Sequence, residues 1–102
     1  MNSMEQAFLQ EVTQKAGQAK LVCGWQPEGF LARLERTGPQ RVMEQAARRG
    51  AVSDGFELLR AKGRLDLSPE AVVCSSQYAQ LFEDETVNFC LEVLCENGYF
   101  QV

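Results

Sequence analysis

The sequence predicts an all-α protein, a compact bundle of about five or six short helices in orthogonal or mixed packing. Three observations lead there. Apolar residues recur every three or four positions along most of the chain. Residues that start helices (Ser, Asp, Pro) and residues that stop them (Gly) bracket those runs. No alternating apolar–polar stretch bounded by turn residues competes as a strand.

The first helix is expected over about 4–16. Met4, Phe8, Val12 and Ala16 recur every fourth position, Ser3 with Gln6 fits a capping box, and Gly17 offers a stop. Residues 18–26 fit either a continuation of that helix or an extended connector. Pro27 suits a first helical position, followed by the stripe Phe30, Leu31 and Leu34, with Gly38 as its end. Pro39 then opens a helix with Val42, Met43, Ala46 and Ala47 on one face. Its last turn carries Arg48 and Arg49, which complement the helix dipole, and Gly50 follows as the left-handed cap.

Asp54 and Glu57 fit a second capping box, with Phe56 and Leu59 turned inward and Gly63 closing the helix. Ser68-Pro69-Glu70 begins a short helix carrying Ala71, Val72 and Val73. Tyr78, Leu81 and Phe82 suggest one more helical turn. Asp84 can cap a last helix through about Glu96, with Gly98 beyond it. The connections are only a few residues long, which favours neighbouring helices packed as hairpins.

One domain accounts for all 102 residues. A chain of this size buries roughly two-thirds of its unfolded surface, enough to fold without disulfides or a structural metal. No window approaches the roughly 20 apolar residues of a membrane span. The N-terminus lacks the basic start and apolar run of a secretory signal, so the expected location is cytoplasmic. Cys23, Cys74, Cys90 and Cys95 include no CxxC pair, and on one helix Cys90 and Cys95 would sit about 140° apart. They are expected to be free thiols in a reducing compartment, with no zinc and no other cofactor.

Two features bear on function. On the last helix, Val87, Cys90, Leu91 and Leu94 form one stripe, while Phe89 and Val93 lie on nearly the opposite face. The first helix is expected to cover that second stripe; otherwise Phe89 and Val93 make an interaction surface for a protein partner or a second copy of the chain. Charge is also uneven. Residues 1–64 hold all ten bases against seven acids, and residues 65–102 hold seven acids and no base. Eight of the bases fall within 33–64, so Arg48, Arg49, Arg60 and Arg64 are candidates for a basic patch.

That patch raises nucleic-acid binding as the alternative function. Asp54–Gly63 and Ser68–Ser75 have the spacing of a helix-turn-helix. The would-be recognition helix offers Glu70 and no base, which is the wrong chemistry for a groove, and the whole chain carries a net charge of −4. Enzymatic readings have less to stand on. There is no histidine, which excludes Ser-His and Cys-His nucleophile pairs, and no phosphate-binding loop. The carboxylates Glu83, Asp84 and Glu85 fall at a helix start, where the dipole explains them.

The segments Ser53-Asp54-Gly55-Phe56, Gly63-Arg64-Leu65-Asp66-Leu67, Glu70-Ala71 with Val73, Leu81-Phe82 and Gly98-Tyr99 carry a resemblance. Together they look like a family of small bacterial all-helical proteins without an assigned activity. The match covers about 28–100 and leaves residues 1–27, Trp25 among them, as a variable N-terminal helix and connector. The resemblance implies the helical fold and a bacterial cytoplasmic origin. Within its motif Leu65 and Leu67 are expected to anchor a turn. Arg64 and Asp66 stand too close in sequence to face one another simply, and each is expected to pair elsewhere. The expectation for function is a non-catalytic protein–protein interaction or regulatory module, acting through a helical face and able to form a homodimer.

Overall fold

The computed structural model describes residues 2–99, and every regular element among them is helical. Six α-helices follow in order: α1 (Ser3–Cys23), α2 (Glu28–Thr37), α3 (Pro39–Arg48), α4 (Phe56–Ala61), α5 (Pro69–Val73) and α6 (Asp84–Glu96). Single 3₁₀ turns at Leu65–Leu67 and Ala79–Leu81 join α4 to α5 and α5 to α6. The all-α bundle read from the sequence is the observed fold.

The first helix is longer than expected. It passes through Gly17 and ends only at Gly24, whose φ of +74° is the left-handed cap that a side chain would strain. The reason is burial: Ala16 and Ala19 extend the stripe of Phe8 and Val12, so packing past Gly17 outweighs the modest helix penalty of one glycine. The N-cap is also shifted by one residue. Asn2 caps the helix, its Oδ1 accepting the Glu5 N–H at 2.7 Å, and the Ser3–Gln6 box does not form. At about 1.5 Å per residue α1 is roughly 30 Å long, close to the 32 Å long axis of the molecule. It lies against α2, α3, α4, α5 and the 65–67 turn, and so organises the core.

Trp25 follows Gly24 and is 4% exposed, packed on Phe30 with ring centroids 5.8 Å apart. It also covers Gly55, which ties the connector into the 53–56 motif rather than leaving it peripheral. Between α2 and α3, Gly38 takes a φ of +101°, and its N–H closes α2 on the Leu34 carbonyl. The Glu5 carboxylate accepts the Gln40 N–H at 3.1 Å, so a side chain of α1 satisfies an orphan amide in the first turn of α3. Pro27 precedes α2 as its N-cap rather than as its first turn.

Two motif readings need correction. Asp54 does not cap α4; that helix starts after Gly55 without a side-chain cap, and Asp54 pairs with Arg33 at 3.9 Å. Arg64 and Asp66 do pair, with Nε and Nη2 reaching the two carboxylate oxygens at 3.1 and 3.2 Å. Arg64 precedes the 3₁₀ turn as its N-cap, with φ −121° and ψ 44°, and from that non-helical backbone its long side chain folds over to Asp66. The Ser68 cap is as expected, its hydroxyl oxygen accepting the Ala71 N–H at 3.2 Å. Leu65 and Leu67 are buried and anchor the turn. Phe8 is the aromatic centre of the core, edge-on to Tyr78 at 5.6 Å and to Phe82 at 5.0 Å.

Candidate functional site

α6 rests mainly on α3 and α5, and α1 does not cover its second stripe. Thr86, Cys90 and Leu94 are its buried residues. Thr86 fills the gap between the two apolar stripes, so they are the edges of one buried arc of roughly 200° by helical geometry. Leu91, on one edge, borders a recess made with Ala71, Val72, Cys74 and Ser75. Phe89 and Val93, on the other edge, are half-buried against the core on the α3 side. The remaining surface of α6 is acidic. Asp84, Glu85, Glu92 and Glu96 are exposed, and none is in an ion pair among the described residues. Glu83, at the N-cap, is held differently, accepting from Arg48 Nη2 at 2.8 and 3.0 Å.

The bases named from the sequence differ in their immediate surroundings. Arg48 is clamped to Glu83 and lines a polar recess of about 780 Å³ with Glu5, Arg41 and Glu44. Arg49 is the C-cap of α3. Arg60 pairs with Glu57 at 2.6 Å on α4, and Arg64 with Asp66. Arg60 borders a different recess, with Gly63, Asp66 and Asn97. Three of the four, Arg48, Arg60 and Arg64, are paired with a nearby carboxylate, and Arg48 and Arg60 border different recesses.

Glu70, treated above as an exposed residue of a recognition helix, is 1% exposed. Its carboxylate accepts the Ser53 N–H at 2.7 Å and the Ser53 hydroxyl at 2.8 Å, pinning the loop before α4 to the first turn of α5. No spacing rule reveals this, because Glu70 at the second position of a helix usually faces solvent beside the dipole. Burial pushes its carboxyl above the usual carboxylate range, against the two Ser53 bonds that favour the charged form. The folded chain therefore holds this proton more tightly than the unfolded chain. The stability it contributes is complete below the ordinary carboxylate range and is lost as pH rises through that range to the raised folded value. Asp66 runs the other way: the bond from Arg64 lowers its pKa, so its contribution is lost as pH falls. Glu70→Gln keeps the shape and is expected to flatten the decline in unfolding free energy as pH rises from the ordinary carboxylate range upward. Denaturant titrations of both proteins across that rise check it, and parallel curves would show that Glu70 does not titrate in the fold.

Topology also brings together two thiols that are sixteen positions apart. Cys74 is the C-cap of α5, half-buried, and its Sγ lies 3.9 Å from the Val87 carbonyl oxygen of α6. Cys90, one turn further along α6 and fully buried, hydrogen-bonds to Cys74 through its thiol. That bond holds Cys74 below the usual thiol range, while the same bond and burial push Cys90 well above it. Cys23 donates to the Ala19 carbonyl at 3.2 Å, and Cys95 is exposed. Among the described residues no group of three His, Cys, Asp or Glu side chains is placed to hold a metal, and no helix is long and apolar enough to cross a membrane.

Comparison with known proteins adds no relative: no family model, no curated protein and no solved structure matches the chain.

Proposed function

We propose that the protein is a non-catalytic interaction module of the cytoplasm that offers α6 to a Lys- or Arg-rich segment of a partner protein. One observation carries this reading. The exposed surface of α6 bears Asp84, Glu85, Glu92 and Glu96 with no base among them, beside the half-buried Phe89 and Val93. Such a face attracts a cationic helix or strand at long range and gives it apolar ground to settle on. Two copies of the acidic face repel each other, so a partner of opposite charge suits it better than a homodimer through α6. The nucleic-acid alternative has less to work with, because Arg48, Arg60 and Arg64 already have carboxylate partners.

The test uses a fluorescent, amphipathic Lys-rich peptide, with duplex DNA as the comparison probe. The peptide is expected to bind, and affinity is expected to fall at least about tenfold for the Glu85→Lys, Glu92→Lys, Glu96→Lys variant and as salt rises toward a Debye length of about 4 Å. Equal peptide binding by that variant, or tighter binding of duplex DNA than of peptide at about 150 mM salt, would overturn the proposal.

A further inference from the structure

We infer that Cys74 and Cys90 form an oxidisable thiol pair, in which Cys74 reduces a small peroxide and Cys90 resolves the product to an intramolecular disulfide. Three structural facts meet at this point. Cys74, which is only half-buried, lines a recess of about 320 Å³ between α1, α5 and α6 that is large enough to admit a small oxidant to this residue without unfolding. Cys90, fully buried and one turn on from the Val87 carbonyl that Cys74 touches, interacts with it through its thiol. The Val87 carbonyl, one turn before Cys90, receives the Cys74 thiol and orients it toward α6.

An accessible thiol backed by a buried second thiol is the arrangement that converts a first oxidation into a disulfide before it goes further. Depression of the Cys74 thiol by its bond from Cys90 works in the same direction, since the thiolate is the reacting form. Glu70 opposes this, its charge raising both thiols from the core side. Cys95 lacks every one of these features except exposure, and Cys23 is turned onto its own helix by the Ala19 carbonyl.

The chemistry balances with the peroxide as sole oxidant. The Cys74 thiolate attacks one peroxide oxygen, an S–O bond forms, the O–O bond breaks, and the departing hydroxide takes a proton to leave as water. The Cys90 sulfur then attacks the Cys74 sulfur. An S–S bond forms, the S–O bond breaks, and the released hydroxide takes the Cys90 proton as a second water. Two thiols lose two electrons in total, and one peroxide becomes two waters.

The experiment treats the reduced full-length protein with a few equivalents of hydrogen peroxide and follows intact mass and peptides. Cleavage at glutamate separates the two cysteines, because acids lie between them while no Lys or Arg follows residue 64. The expected product is a monomer lighter by about 2 Da, with residues 74 and 90 linked. Cys74→Ser is expected to slow the reaction at least about tenfold. Cys90→Ser is expected to stop at a Cys74 sulfenic acid that dimedone traps. Oxidation that falls first on Cys95, a disulfide-linked dimer through Cys95, or equal rates for wild type and Cys74→Ser would overturn the inference. Should Cys90→Ser fail to fold, the Cys74→Ser and Cys95→Ser rates decide alone, since Cys74 is only half-buried and Cys95 is exposed.

Discussion

Gly55→Ala is expected to destabilise the protein by about 3 kcal/mol, at the upper end of the usual cost of overpacking a filled site. The φ of Gly55 is −95°, which any residue adopts, so backbone strain is not the cause. A Cβ at this position would fall inside the Trp25 indole, overlapping Cδ2, Cε2 and Cε3. The ring has nowhere to go, since it is 4% exposed and bears on Phe30. Urea unfolding measures the loss. A double-mutant cycle identifies the mechanism: in a Trp25→Leu background, where the ring is gone, Gly55→Ala is expected to cost far less. Additive losses would refute the indole as the obstacle.

Leu94→Ala is expected to cost about 2–5 kcal/mol, the range for a buried leucine reduced to a cavity. Leu94 is fully buried, in the middle of the α6 arc between α3 and α5. In a domain of this size each kcal/mol lowers Tm by about 4–8 °C, so calorimetry resolves the effect easily. Phe89→Ala, at the half-buried edge of the same helix, is expected to cost less in stability and to weaken partner binding instead. A Leu94 variant as stable as wild type would mean that α6 is loosely attached, and a Phe89 variant that loses most of the stability would place that edge in the core.

Elements bounded on both sides by residues with one strong preference were legible in the sequence. Pro39 and Gly50 frame α3, Ser68 caps α5, and the 84–96 run becomes α6 within a residue. Local rules failed where distant packing supplied the stronger term. Helix α1 ignores Gly17 because Ala19 is buried beneath it, and Asp54 leaves its cap for Arg33 on another helix. The division of α6 into two stripes rests on apolar residues alone and so leaves out Thr86, which is polar by type yet buried between them. The candidate thiol pair was invisible because it depends on how α5 and α6 approach, which no spacing along one element encodes. Phe89 and Val93 were legible as a second apolar stripe of α6, since helical periodicity alone sets them apart from Cys90 and Leu94.

The central position of α1 has a consequence for how the chain folds. The stripe of Phe8, Val12, Ala16 and Ala19 takes its partners from α2 through α5 and, at Phe8, from Tyr78 and Phe82. Helices α2 to α5 cover part of that stripe, but without residues 78 and 82 no subset of helices completes the Phe8 aromatic cluster. Completion of the core therefore waits on contacts seventy or more positions apart, which makes α1 the element whose apolar stripe stays partly open longest in a folding intermediate.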